Sequence, residues 1–284
     1  MTTKSLAPFI FKWLSFCVGF GLLILLPNHS HALELHGALK QGGLILGQDQ
    51  PGAQVFLDGE PIKVDSQGRF VFGFARDAGP EANLKIIYND GKTLEQTLKI
   101  AKQVYQIERI DGLPQKTVTI PEEEKIRRAK ETAMVREARK GVTEATDWVA
   151  GFMLPAEGRI SGVYGSQRIL NGEPRWPHFG LDIAAPLMTP VKAPASGVVT
   201  LAEREFLLEG GIIIIDHGFG LTSTLMHLAE INVSVGQQVK MGEVIAGLGA
   251  TGRASGPHVD WRINWRSVRL DPALALEAGT LVKE

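Results

Sequence analysis

Residues 33–116 carry short runs in which hydrophobic and polar positions alternate, with turn residues between the runs. Residues 53–57 form one run and lead directly into Asp58-Gly59. A second run at residues 84–88 ends in an Asn-Asp-Gly turn. Strands of this length between such turns are typical of a small β-sandwich. We therefore predict a small immunoglobulin-like domain over residues 33–116, with no candidate chemistry of its own.

The pattern changes over residues 117–150, where charged residues replace the alternating runs. Pro121 stands where a helix can begin, and three glutamates at residues 122–124 fill the first turn, where the helix dipole favours acidic side chains. Large hydrophobic residues are few in the first twenty positions. We predict a solvated helical linker; the alternatives are a helix that docks on a partner and a regulatory arm that covers the active site.

Residues 151–284 combine Val- and Ile-rich runs with glycine turns, as in the segment at residues 211–216. This pattern predicts an antiparallel β domain, so the chain as a whole is predicted to be mainly β. The domain also carries His178, His217 and His227 as well as His258. We therefore look for function here.

The first 32 residues resemble an export signal. Lys4 and Lys12 precede or enter an apolar stretch at residues 13–26, and Ser30 and Ala32 place small residues before a cleavage point after Ala32. The apolar stretch is shorter than the ~18 residues that a membrane span needs. We predict a cleaved signal peptide over residues 1–32 and a periplasmic or secreted protein that is not integral to the membrane; an uncleaved anchor is the alternative.

Composition and charge narrow the function classes. The chain has 284 residues, of which 44% are hydrophobic and 21% charged, as in globular proteins. Its 30 basic and 31 acidic residues give a net charge of −1, which argues against nucleic-acid binding by bulk charge. The single cysteine, Cys17, lies in the signal, so the mature chain has no disulfide and must be held by its core or by a metal.

Two spacings in the third segment suggest a metal site. His178 and Asp182 are four residues apart, and Gly180 between them permits the bend that would bring both side chains to one ion. His258 and Asp260 are two residues apart, so in a strand both point to the same face. Each spacing alone occurs often by chance, and their combination in one glycine-rich β domain is the signal.

In this context the chain resembles the lysostaphin/LytM-type zinc metallopeptidases, which cut peptidoglycan peptides, over about residues 155–275. The fold implied by the resemblance is a compact antiparallel β domain with a groove at the metal. The matching motifs are Gly158-Arg159-Ile160-Ser161, Tyr164-Gly165, His178-Phe179-Gly180-Leu181-Asp182, Ala195-Ser196-Gly197-Val198-Val199, Asp216-His217-Gly218, His227-Leu228, Gly242-Glu243-Val244-Ile245 and Thr251-Gly252-Arg253-Ala254-Ser255-Gly256-Pro257-His258.

The resemblance implies a role for each site residue. His178 and Asp182 would bind one zinc ion, and His227 and His258 would flank the attacking water as general base and stabiliser of the tetrahedral intermediate. The third zinc ligand of the family is a histidine, whereas this chain has Asp260. Three interpretations follow: Asp260 binds the metal, which would favour manganese or another hard divalent ion as well as zinc; Asp260 pairs with Arg262 instead; or a catalytic histidine replaces it as ligand.

The leading functional hypothesis is an exported zinc endopeptidase that acts on the stem peptides or cross-links of peptidoglycan. The alternative is a degenerate relative that binds and activates another wall hydrolase or a division-machinery partner. A carrier module is a third class, suggested only by the partial lysine motif Lys240-Met241. His217 is predicted to be structural. Trp176, Tyr164 and two further aromatic residues, Trp261 and Trp265, could line a substrate groove, although Trp261 is expected in the core.

Overall fold

The structure is a computed structural model that describes residues 1–2, 32–111 and 122–282. The predicted signal peptide and the start of the predicted linker, including Pro121, lie outside the described residues apart from positions 1–2 and 32. In the part of the chain that is described, no helix is both long and apolar enough to cross a membrane. All elements below belong to one compact unit, His31–Glu284.

Seven antiparallel strands form the N-terminal domain. They divide into a sheet of order β1-β2-β5 and a sheet of order β4-β3-β6-β7. Asp58-Gly59 joins β3 to β4 with φ values of 49° and 84°, which is the conformation that a two-residue hairpin turn requires. The strands are β1 Glu34–His36, β2 Leu44–Gln48, β3 Gln54–Leu57, β4 Glu60–Ile62, β5 Arg69–Gly73, β6 Glu81–Ile87 and β7 Thr93–Lys99.

Buried and more exposed residues alternate along the strands of the N-terminal sheets. In β6, Ala82, Leu84 and Ile86 are buried while the residues between them are more exposed. The fourth strand pairs with β3 rather than with β5, which differs from the constant-type immunoglobulin order. A further strand, β8 at Ile107–Ile110, leaves this domain and pairs in parallel with a strand of the C-terminal domain.

The first helix, α1 at Glu122–Ala138, follows β8 in the chain. The helix begins with the three predicted glutamates, and most of its residues are exposed, but one side of it contacts the C-terminal sheet. Val135 and Ala138 pack against apolar residues of that sheet, and Arg128 forms two hydrogen bonds of 2.8 Å with Glu209 of that domain. The sequence pattern does not indicate this contact, because only one short stripe of the helix is apolar and the other contacts are ion pairs.

The C-terminal domain is built on one large antiparallel sheet of order β17-β14-β15-β16-β19-β12-β9, with β13, β18 and β20 attached to it. A 3-10 turn at Asp147–Ala150 precedes the sheet, and helix α2 at Pro272–Glu277 follows it. The strands are β9 Arg159–Gly162, β10 Gln167–Leu170, β11 Glu173–Pro174, β12 Leu181–Ala184, β13 Pro190–Lys192, β14 Gly197–Phe206, β15 Gly210–Gly218, β16 Leu221–Ile231, β17 Gln238–Val239, β18 Val244–Leu248, β19 His258–Trp265 and β20 Val268–Leu270.

The large sheet has two faces of different composition. We call one the core face; it packs into the main hydrophobic core and includes Ile213, Ile215, Leu225, Val259, Trp261 and Ile263. We call the other the outer face; it carries Ile212, Ile214, Thr224, Met226, Asp260 and Arg262. Both assignments follow from strand alternation and from the register, in which Met226 lies opposite Asp260 and Thr224 opposite Arg262.

Candidate metal centre

Strands β12 and β19 place the two carboxylates of the predicted metal site side by side. Asp182 and Asp260 are register partners in these antiparallel strands, so their side chains lie on the same face. His178 precedes β12, and the chain bends at Gly180 between them. One donor atom from each of His178, Asp182 and Asp260 lies within 4.8 Å of the other two. The fold therefore brings together the three residues that were predicted as metal ligands.

His178 and Asp182 face each other through buried polar atoms. His178 Nε2 and Asp182 Oδ1 are 3.2 Å apart, and neither atom has a well-formed hydrogen bond to any other described residue. Burial acts to lower the pKa of His178, but the carboxylates of Asp182 and Asp260 raise it by more. Two ligand atoms of one zinc ion lie about 3–4 Å apart, so a divalent cation fits this nitrogen–oxygen set.

Asp260 lies in the donor set and also pairs with Arg262. Arg262 Nε is 3.1 Å from each carboxylate oxygen, and Nη2 is 2.6 Å from Oδ2, which is itself 4.0 Å from His178 Nδ1. Burial alone would raise the pKa of Asp260, but Arg262 holds it below its usual range. A carboxylate has about four lone-pair sites. The first two interpretations of Asp260 are therefore compatible, because the Arg262 pair leaves acceptor capacity free.

His227 reaches the outer face through a β-bulge. Between the pairs Ile213–Leu225 and Gly211–Leu228, two residues of β16 oppose one residue of β15. His227 lies within this bulge with a φ of 65°, which is unusual for a residue with a side chain. His227 thus lies inside β16, which continues beyond it to Ile231. Simple alternation from Leu225 would have turned the ring into the core.

His227 and His258 form a pair beside the donor set. Their ring centroids are 4.7 Å apart. His227 Nδ1 is 2.9 Å from the Thr251 carbonyl, and His258 Nδ1 is 2.8 Å from the Gly256 carbonyl. A carbonyl can only accept, so in the neutral rings both Nδ1 atoms carry the proton and both Nε2 atoms are acceptors. Burial lowers the pKa of His227, which favours its neutral form.

The remaining predicted residues lie away from this centre. His217 is fully buried on the core face, where Nδ1 is 2.6 Å from the Ser196 carbonyl and Nε2 is 2.8 Å from Ser223 Oγ. Of the four aromatic residues suggested for a substrate groove, Tyr164 and Trp265 are buried, so that suggestion is wrong for them, whereas Trp261 lies in the core as expected. Trp176 alone among the four is exposed, at 84%.

Residue-level reasoning missed the groups that support the site. The carbonyls of Thr251 and Gly256 fix the two imidazole tautomers, and a sequence offers no signal for a backbone acceptor. The contact of α1 with the outer face was also missed; its signal was the pair Val135 and Ala138 at helical spacing.

The geometry defines a metal-capable centre on an antiparallel β-sheet, with two histidines beside it. Residues 176–272 match the model of Peptidase family M23, so this part of the chain is an M23 peptidase domain. The resemblance predicted from the motifs and the mainly antiparallel β fold are thereby confirmed.

Relatives support the same assignment. Peptidoglycan DD-endopeptidase ShyA of Vibrio cholerae is 37% identical over 103 residues, which are 36% of this chain and 23% of that protein. DD-carboxypeptidase/endopeptidase Mpg of Neisseria meningitidis is 41% identical over 93 residues, 32% of this chain and 21% of that protein. The matched region thus spans less than a quarter of either relative. A crystal structure of a putative M23 peptidase from Pseudomonas aeruginosa is 28% identical with a TM-score of 0.63, and covers 84% of this chain and 95% of its own.

Proposed function

We propose that the protein is a metal-dependent endopeptidase that hydrolyses peptide bonds in the stem peptides or cross-links of peptidoglycan. The observation that carries this proposal is the convergence of His178, Asp182 and Asp260, with one donor atom of each within 4.8 Å of the other two, inside a segment that matches an M23 peptidase. The names of the relatives ShyA and Mpg support peptidoglycan as the substrate class.

The donor set fits one divalent cation held by His178, Asp182 and Asp260. When bound, the ion would supply Lewis-acid polarisation of the scissile carbonyl. Zinc is the ion we propose, because it accepts one imidazole and two carboxylates. The two oxygen donors also suit manganese, which prefers carboxylate ligands more than zinc does.

His227 and His258 would handle the proton during hydrolysis. Because the Thr251 and Gly256 carbonyls hold the Nδ1 protons, each ring offers Nε2 as an acceptor on the side away from its carbonyl. We assign His258 Nε2 to take the proton from the attacking water and to return it to the leaving amine. His227 would bind the developing oxyanion once protonated, or orient the water while neutral. A general base of this kind contributes ~10²–10⁴-fold in rate.

We also propose that the protein is exported and acts in the periplasm. The support is the predicted signal over residues 1–32 and the location of peptidoglycan outside the cytoplasmic membrane. A division-machinery or hydrolase partner belongs to the second candidate function, a non-catalytic activator. The observation that favours this candidate is the hold of Arg262 on Asp260, which competes with any metal for the same carboxylate.

Digestion of isolated peptidoglycan by the purified protein tests the proposal. We expect new peptide termini in the soluble products, loss of activity with a chelator, and recovery on adding zinc. His178→Ala should be inactive, whereas His36→Ala, an exposed histidine of the N-terminal domain, should digest normally. Absence of both tight metal binding and digestion, together with stimulation of a second hydrolase, would instead support the activator.

A further inference from the structure

Two glycines lie directly behind the two carboxylates of the donor set. Gly162 is the last residue of β9 and pairs with Asp182, and Gly180 precedes β12 beside Asp260. Neither glycine has a φ in the left-handed region, so the backbone conformation does not require glycine at either position. The reason for glycine must therefore lie in the space that a side chain would occupy.

That space is filled by the carboxylates. A Cβ added to Gly180 would lie 1.9 Å from Asp260 Oδ1, and a Cβ added to Gly162 would lie 2.2 Å from Asp182 Oδ2. Both distances are far inside van der Waals contact. Each carboxylate thus rests one oxygen against a glycine and turns the other toward His178: Oδ1 of Asp182 at 3.2 Å and Oδ2 of Asp260 at 4.0 Å.

The two carboxylates differ in how freely they can move aside. Asp260 is buried and is held by three hydrogen-bond contacts from Arg262, so a methyl group at Gly180 cannot be accommodated by a simple rotation. Asp182 is held only by the 3.2 Å contact of its Oδ1 with His178 Nε2, so a methyl group at Gly162 would displace its carboxylate toward or past His178. In both cases the donor atom that faces the metal position moves.

We propose that Gly162 and Gly180 are positioning residues of the metal centre. Because neither has a side chain, the carboxylates of Asp182 and Asp260 can occupy the space beside them. This inference rests on the proposed function, because it assumes that the donor set holds a metal. Ligand geometry must be kept within about 0.5 Å for a preorganised site. A methyl group at Gly162 or Gly180 would displace a metal-ligating oxygen by more than that.

The first test is metal binding by the full chain, measured by competition with a chromophoric zinc chelator. Loss of a group that orients a ligand typically weakens metal affinity by about 10–100-fold, and we expect this for Gly162→Ala and Gly180→Ala. The matched control is Gly79→Ala, in the N-terminal domain, where an added Cβ would lie 4.0 Å from the Glu81 carbonyl oxygen, an ordinary van der Waals contact. It should bind zinc like the parent.

The second test shows whether Gly180 acts through Asp260 or through general packing. Gly180→Ala should lower the melting temperature of the metal-free parent clearly, and that of the Asp260→Ala variant much less, because the carboxylate is gone there and only Arg262 Cγ, 3.0 Å from the added Cβ, remains close. An equal loss in both backgrounds would overturn the inference, as would unchanged zinc affinity in both glycine variants. A parent that binds no zinc would instead contradict the proposed function, so the two failures are distinguishable.

An independent observation concerns the position of α1. Val135 and Ala138 close a small apolar cluster on the outer face, formed by Leu201, Phe206, Ile212, Ile214 and Met226. Met226 is the register partner of Asp260, so this cluster begins one strand away from the donor set. The helix therefore covers the part of the outer face that adjoins the candidate metal centre.

Polar contacts fix the helix in this place. Arg139, directly after α1, donates from Nη2 to Thr224 Oγ1 at 2.6 Å, and Thr224 is the register partner of Arg262. Arg128 binds Glu209 with two hydrogen bonds of 2.8 Å, and the Leu207 amide donates to Glu131 at 2.9 Å. A substrate extending from the donor set across β16 toward β14 would meet the helix.

We infer that α1 is an internal cover that restricts the centre to substrates that do not extend beneath it, and that intact peptidoglycan is cut faster when α1 is released. This also rests on the proposed function. The cover is the regulatory arm that was one alternative for residues 117–150.

The test is a full-length double variant, Val135→Asp with Arg128→Glu, which removes an apolar contact and an ion pair of the helix. Its control is Ile126→Asp, at a helix position that is 69% exposed. We expect faster amide exchange in α1 and a several-fold higher rate on intact peptidoglycan for the double variant only, with little change on a short stem peptide. Unchanged or slower digestion of peptidoglycan would overturn the inference, and failure on both substrates in the parent would contradict the proposed function.

Discussion

The two faces of the large sheet are made by the same strands, but the core face forms the hydrophobic core and the outer face carries the candidate metal centre. On the core face, Leu225, Trp261 and Ile263 are buried in a continuous apolar core. On the outer face, the neighbouring residues include buried Asp260 and half-buried Arg262, which form an ion pair next to His178 and Asp182. Because side chains alternate along β16 and β19, each residue of the hydrophobic core is next in sequence to a residue of the outer face, where the candidate metal centre lies.

Two histidines make this difference concrete. His217 is completely buried on the core face, and both of its ring nitrogens have hydrogen-bond partners. His178 is less buried, and its two ring nitrogens face the carboxylates of Asp182 at 3.2 Å and Asp260 at 4.0 Å. Burial of a histidine therefore does not identify a site; the convergence of its ring with two carboxylates does.

The largest expected effect comes from removing one donor on the outer face. Asp182→Asn keeps the shape of the side chain but removes its charge, so we expect loss of tightly bound metal and of peptidoglycan hydrolysis. The measurements are zinc stoichiometry and product release. Asp77→Asn, at an exposed aspartate of the N-terminal domain, is the control. An Asp182→Asn protein with full metal and full activity would remove Asp182 from the site.

A smaller effect is expected when the metal ligands stay intact and only proton transfer from the attacking water is impaired. His258→Ala should retain metal but lose about 10²–10⁴-fold in turnover, because the Nε2 acceptor is gone. Fixed-time digestion assays would measure the loss of turnover, and a parallel metal determination would show that the metal is retained. Turnover within a factor of two of the parent would contradict the proton-transfer role of His258.

On the core face the expected effect is on stability, and it depends on pH. Burial lowers the pKa of His217 from 6.5 to about 4, so the unfolded chain binds more protons than the folded chain between these values. Stability should therefore fall as the pH drops from 6.5 to 4, by about 3 kcal/mol at ~1.4 kcal/mol per pKa unit.

Denaturant unfolding of the parent and of His217→Gln across this pH range isolates that contribution. The glutamine variant lacks the titrating group, so its stability should fall less steeply over the same range, whatever its stability at pH 7. Parallel pH profiles for the two proteins would show that protonation of His217 does not contribute.

Local patterns predicted the features that depend on neighbouring residues. Asp58-Gly59 forms the expected hairpin turn, because the left-handed conformation of both residues is a local preference. His258 and Asp260 belong to one strand, where residues two positions apart share a face. The three candidate ligands could be predicted from the resemblance. The fold brings them together, because the register of β12 and β19 places Asp182 beside Asp260.

Features that depend on distant partners could not be predicted. His227 reaches the outer face only through a bulge, and the bulge is visible only when β15 is paired with β16. Strand β8 pairs with β10, more than fifty residues away, and nothing in either segment indicates it. The docking of α1 depends on Val135, Ala138 and an arginine–glutamate pair, whose partners lie in the C-terminal domain.

The central claim is that His178, Asp182 and Asp260 hold a divalent metal. The most direct test is elemental analysis of the full chain purified without chelator, beside the Asp260→Asn variant. The account predicts about one zinc or manganese ion per parent chain, as expected for a single three-ligand site, and a clear loss in the variant. A folded parent that contains no metal and takes up none from added zinc would contradict it.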